Sequence, residues 1–174
     1  MNKNKLRQLP RLLLLLGAAC CGAVAHAADA PATDAPAAFA PQVWLNPGIY
    51  SYHFDRSKNF REDNIGFGAE ALLADDHMLM AGAFINSDRA RSHYAAYQWR
   101  PLHWQPGAGV KVSLGVAAGG FDGYPRYHSG GWFAAALPVL AIEGDRIGAN
   151  IFVIPTISDR LNGAVAIQVK LRVW

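Results

Sequence analysis

The chain has 174 residues, 52% of them hydrophobic and only 17% charged, against about 25% charged in an average soluble domain. Mean hydropathy is nevertheless only +0.07, so the apolar residues are dispersed rather than gathered into helical membrane spans, and the length is that of one domain. The net charge of +3 does not indicate nucleic acid: Lys3, Lys5, Arg7 and Arg11 precede the Leu12 to Leu16 run, and without them 12 basic residues face 13 acidic ones.

Met1 to Ala27 reads as a secretory signal, with a basic start, an apolar stretch from Leu12 to about Val24 and Ala25-His26-Ala27 as a small-x-small cleavage site. The apolar stretch falls short of the ~20 residues of a transmembrane helix, and Leu16 stands too far from Cys20 and Cys21 for a lipoprotein signal. Cleavage after Ala27 leaves 147 residues without cysteine, so no disulfide holds the exported chain. Residues 28–42 are Ala-, Pro- and Asp-rich with almost no large apolar side chain, a flexible leader by composition. The folded part is expected over residues 43–174.

From Val43 onward the apolar residues alternate in segments of about ten, the period of strands. Eight are expected: Val43 to Asp55, Ile65 to Ala74, His77 to Ile85, Ser92 to Trp99, Gly109 to Gly119, Trp132 to Glu143, Arg146 to Ile154, and Gly163 to Trp174. The last is clearest, with Val165, Ile167, Val169, Leu171 and Val173 on one face and Gln168, Lys170 and Arg172 on the other; Trp174 is out of phase with the apolar set. Alternation fits a soluble sandwich as well as a membrane barrel. The export signal, the missing cysteines, strand lengths near the 9 to 11 residues that cross a bilayer and the alternation of short with long connections favour an eight-stranded antiparallel transmembrane β-barrel. Tyr50, Tyr52, Phe54, Trp99, Trp104, Trp132 and Trp174 fall near strand ends, where interfacial aromatic girdles sit. A barrel of eight strands has a lumen filled by side chains or one small ligand, which excludes a general pore. Glu70 is expected to face the lumen beside Lys111, Lys170 or Arg172, since a buried charge persists only when paired.

The chemistry-bearing residues cluster near the expected outer rim: His53, Asp55, Asn86, Ser87, Asp88, His93, Asp122, His128 and Asp159. If Tyr50, Tyr52 and Phe54 face lipid, Ser51 and His53 face the lumen, and a lumen histidine near a serine can act as a general base for acyl transfer; a hydrogen-bonded rim histidine is the alternative. Asn86-Ser87-Asp88 has the chemistry of an Asx turn. Arg56, Arg61, Arg89, Arg91, Arg126 and Arg160 fall in outer connections, and a guanidinium fork suits phosphate. No zinc, EF-hand or phosphate-loop spacing is present, so neither metal nor cofactor is expected. Pro47 and Pro155 each remove a ladder donor in the outer half of the wall.

The stretch Ala81 to Leu102, AGAFINSDRARSHYAAYQWRPL, together with Leu137-Pro138-Val139-Leu140, Ile154-Pro155 followed by Asn162-Gly163, and Pro47 shortly before His53, resembles the lipid A palmitoyltransferases (PagP), small outer-membrane acyltransferases. The resemblance implies an eight-stranded barrel in a Gram-negative outer membrane. It also implies transfer of a fatty acyl chain from a phospholipid to lipid A or lipopolysaccharide, with the chain measured in the upper barrel. On that likeness Ser87 matches the family's serine, Asn86 stands where its aspartate would be, and His53 is the candidate histidine; Pro47 and Pro155 fall at lipid gates, and Arg56, Arg89 and Arg91 would meet lipid phosphates. The interval from Pro47 to His53 is one residue longer than the family's, which in a regular strand would turn the histidine to the other face. The expected protein is a monomer without cofactor; the alternative is a non-catalytic outer-membrane barrel that binds lipid or stabilises the envelope.

Overall fold

A computed structural model describes residues 40–157 and 162–174. The expected signal peptide, the leader through residue 39, Asp159 and Arg160 lie outside the described residues. Eight strands, β1 (Gln42–His53), β2 (Asp63–Ala74), β3 (His77–Ile85), β4 (Arg91–Gly107), β5 (Val110–Phe121), β6 (Phe133–Glu143), β7 (Ile147–Ile154) and β8 (Ala164–Arg172), pair antiparallel with their neighbours in sequence, and β8 closes on β1. The strands form because each alternates outward apolar side chains with an inward set that is polar in one half of the lumen and apolar in the other, a period of two that a pleated sheet satisfies.

Connections differ sharply between the two ends. At the end where β1 begins, β2 and β3 are joined by residues 75–76, β4 and β5 by Ala108-Gly109, and β6 and β7 by residues 144–146. At the opposite mouth the connections are residues 54–62, 86–90, 122–132 and 155–163. The expected long inner connection from Arg100 to Ala108 is instead a continuation of β4. Ala108 and Gly109, with φ of 52° and 70°, close its hairpin in two residues, as a tight turn with left-handed central residues does. A register shift between Trp99 and Leu102 changes the phase of β4, so Leu102 and Trp104 are exposed along with Tyr97 and Trp99.

The phase of Trp174 has a simple cause. β8 ends at Arg172, and Trp174 lies beyond it, exposed, its amide and carbonyl still bonded to Val43.

The inner half of the lumen is solid. Lys170 Nζ donates to Glu70 Oε2 and Glu143 Oε1, each at 2.7 Å, and Arg100 Nη1 donates to Glu143 Oε1 at 3.0 Å. Trp44 lies beneath the Lys170 ammonium. Two cations thus meet two carboxylates and the net charge inside is zero, as burial requires. Of the partners expected for Glu70, Lys170 is the one found; Lys111 instead donates to the carbonyl of Asp75 and Arg172 lies over the Trp44 ring. Tyr94 is the boundary above this network. Its ring packs against Phe84 and Phe121, and its hydroxyl accepts from Gln168 Nε2 at 3.1 Å.

Candidate functional site

Above Tyr94 the lumen opens into a cavity walled by Phe84, Phe121, Phe133, Leu137, Phe152 and Ile154, with His53, Ser87, Asp88 and Arg126 toward its mouth. The walls are apolar because these strand positions project inward above the ion network.

His53 reaches this cavity through an irregularity in β1. Trp44 and Asn46 are buried in the first half of the strand, Ser51 and His53 in the second, so the inward phase changes from even to odd. The change falls at Pro47-Gly48, where the register with β2 shifts between Asn46 and Gly48. Gly48 has a φ of 128°, and a Cβ there would press into the Asn64 carbonyl, so only glycine suits the position. This bulge absorbs the extra residue before His53. The expectation that the longer spacing turns the histidine away fails because the strand is not regular.

The imidazole of His53 stacks on Phe60 with centroids 4.8 Å apart, and the Arg126 guanidinium lies over that same phenyl ring at 5.5 Å. His53 Nδ1 is buried and has no hydrogen-bond partner. Neighbouring Ser51 accepts a hydrogen bond from Asn64 Nδ2 at 2.5 Å.

Asn86 is wholly occupied. Its Nδ2 donates to Ser92 Oγ (2.9 Å) and the Gly123 carbonyl (2.6 Å), and its Oδ1 accepts from the amides of Asp88 (2.9 Å) and Ala90 (3.0 Å). Both N–H bonds are used, so none is left to meet a developing oxyanion, and the side chain organises the loop as Asx chemistry does. Ser87 is half-buried and shares the cavity mouth with His53; its carbonyl accepts from the Arg61 amide at 3.0 Å. Tyr124 is half-buried, and desolvation, reinforced by the charge of Asp88, pushes its phenol well above the usual range.

Arg56 and Arg89 come together with His53, Asn59, Arg61 and Glu62 around a second, polar cleft. Arg56 pairs with Glu62, Arg61 Nε stands 3.2 Å from Asp63, and Arg89 donates to the Asn59 carbonyl at 3.3 Å. Arg91 starts β4 with its side chain exposed and lines neither space. Asp55 faces the polar cleft, where its hydrogen bonds from the Ser57 hydroxyl and amide hold its carboxyl below the usual range. His93 faces outward and pairs with Asp122 at 3.0 Å. His128 is an exposed loop residue. Among the described residues no group of three or more His, Cys, Asp or Glu is placed to hold a metal ion.

The wall is interrupted beside the cavity in two places. Between β1 and β8, ladder pairs stop at Leu45 and Leu171 and resume at Tyr50 and Ile167, so Pro47, Gly48 and cavity-lining Ile49 have no partner there. Between β6 and β7, pairing stops at Val139 and Phe152, leaving residues 133–138 of β6 and Pro155 after β7 outside the ladder. Leu137 and Ala135 in that stretch also line the cavity. Pro138 also falls in this stretch of β6 that has no partner on β7.

No family model matches the chain, and no curated protein matches it in sequence.

Proposed function

We propose that this barrel spans a Gram-negative outer membrane after signal cleavage and moves a fatty acyl chain from a phospholipid to lipid A. Membrane insertion is supported by the outer face. Ile65, Phe67, Leu79, Val116, Val153 and Val169 are exposed around the wall, far more contiguous apolar surface than soluble proteins leave uncovered. Tyr50, Tyr52, Phe54 and Trp132 lie toward one end and Trp99, Trp104 and Trp174 toward the other, the placement of aromatic girdles.

The observation that carries the acyl reading is the cavity itself: an apolar recess inside the barrel, with Tyr94 packed behind its lining residues Phe84 and Phe121, whose polar mouth holds a histidine, a serine and a carboxylate. An acyl chain entering through either interruption of the wall would leave its ester carbonyl at that mouth. His53 then takes the proton of the acceptor hydroxyl as its oxygen attacks the carbonyl, and returns it to the departing lysophospholipid oxygen when the ester C–O bond breaks. Ser87, which has no hydrogen bond to His53, suits donation to the carbonyl oxygen better than nucleophilic attack. Arg56 and Arg89 face a cleft that also borders His53, a suitable place for acceptor phosphate.

Mass spectrometry of lipid A from cells with and without the gene tests this reading; an added acyl chain is expected, lost on His53→Ala and sharply reduced on Ser87→Ala, with folding verified by heat-modifiable gel mobility. An unchanged lipid A profile after overexpression would instead leave a non-catalytic barrel that holds lipid.

A further inference from the structure

The aspartate expected before Ser87 is replaced by Asn86, yet a carboxylate stands on the other side of the same serine. Asp88 lines the cavity mouth together with His53 and Ser87. Its Oδ1 is buried without a hydrogen-bond partner; the Arg126 Nε, 3.6 Å away, forms an ion pair with it but lies too far for a hydrogen bond. His53 Nδ1, across the same mouth, is likewise buried and unpartnered. Buried polar atoms left open in this way are uncommon and want a reason. Here one is a carboxylate oxygen and the other an imidazole nitrogen, which are complementary once the imidazole carries a proton. Asn86 fixes the carboxylate's backbone, since its Oδ1 accepts the Asp88 amide.

We propose that Asp88 is the positioning residue of this site, steadying the imidazolium that His53 becomes when it accepts the acceptor proton; this rests on the acyltransfer reading above. Asp88 acts through His53 and touches neither ester nor acceptor. Glu62, neutralised by Arg56, is the stronger negative neighbour of His53; the charge of Asp88 bears on His53 after it, and on Tyr124. The other charged groups around His53 are Arg56 and Glu62, which pair with each other in the connection after β1, Arg61, Asp63 and Arg89 around the polar cleft, Lys58 at the cavity mouth, and Arg126 beyond Phe60. Asp55, the alternative carboxylate, belongs to the polar cleft and is bonded to Ser57. Losing a negative neighbour makes an imidazolium easier to deprotonate, so removal of Asp88 has a defined direction.

The test uses the full-length mature barrel in detergent micelles with labelled histidine. The His53 titration midpoint is followed by NMR, and the pH profile of acyl transfer from a phospholipid to lipid A is recorded alongside. Asp88→Asn should move the midpoint and the acid limb of the profile to lower pH together, and lower kcat roughly tenfold with little change in KM. Asp88→Glu should recover most of the rate, and Asp55→Asn should move neither midpoint nor limb. A midpoint unmoved in folded Asp88→Asn, or moved more by Asp55→Asn, overturns the assignment of Asp88 while leaving acyl transfer by the wild type intact. Absence of transfer by the folded wild type overturns the acyltransfer reading itself, and with it a catalytic purpose for the pair.

Discussion

The side chain of Asn86, itself fully buried, accepts two hydrogen bonds and donates two. An aspartate in its place would bring a carboxylate oxygen against the Gly123 carbonyl and leave that carbonyl without its donor, while the Ser92 hydroxyl could turn to donate. Asn86→Asp should therefore destabilise the barrel by about 1–3 kcal/mol and raise no activity, which urea unfolding in lipid vesicles can measure. The loop-forming role was legible in Asn-Ser-Asp, because Asx chemistry is local. Which carboxylate borders the cavity was not, because it depends on where the loop carries Asp88 relative to a strand distant in sequence. Phe60, which stacks on His53, carried no signal for the same reason, and Arg126, legible only as one of several outer arginines, lies over that phenyl ring. Asp122 gives a pH-dependent contact at this scale. Burial pushes its carboxyl up, but hydrogen bonds from the His93 amide and ring, with the ring's charge, outweigh that and hold it below the usual range. A carboxyl depressed on folding stabilises above its ordinary pKa and loses that contribution as pH falls through the lower folded value. The protection factor of the His93 amide, its exchange rate corrected for the intrinsic pH dependence, should accordingly fall on acidification below about pH 4.

Among the elements, β1 and β4 depart from the simple alternation read in the sequence, both through bulges. The alternating periods were legible because each strand has one outward apolar face; the phase changes at Pro47-Gly48 and near Pro101 were not, since a bulge satisfies both phases locally. Gly48→Ala places a Cβ against backbone in a conformation that L-residues rarely adopt, at a cost of about 1–3 kcal/mol. It should also disturb His53 more than any residue of β3, which side-chain NMR shifts would reveal. The cavity wall invites a complementary change. Ala135 lines the recess on β6, and Ala135→Phe should shorten the acyl chain accepted while leaving folding intact, read by competition between phospholipids of different chain length.

Across the whole molecule, the closed barrel and its strand number were legible, and so was a paired Glu70, because an unpaired charge inside a small lumen is not tolerated. The division of the lumen into an ionic half and an apolar half was not, since it needs the register of all eight strands. Glu70→Leu leaves Lys170 and Arg100 facing Glu143 alone. It should destabilise the barrel by about 3–5 kcal/mol while shifting the pH profile of transfer little, seen as a lower urea midpoint in vesicles. The ionic half also bears on how the chain assembles. Glu70 and Lys170 are 100 residues apart, on β2 and β8, and they meet only when the last strand arrives. Until then each carboxylate and ammonium keeps its water, so desolvation and pairing fall together at the end of folding. The seam that shuts at that moment, β1 against β8, is the one whose ladder lapses for four residues. Bonds across the lumen thus latch a closure that the backbone alone makes incompletely, and weakening them should slow the final zipping step rather than the early hairpins.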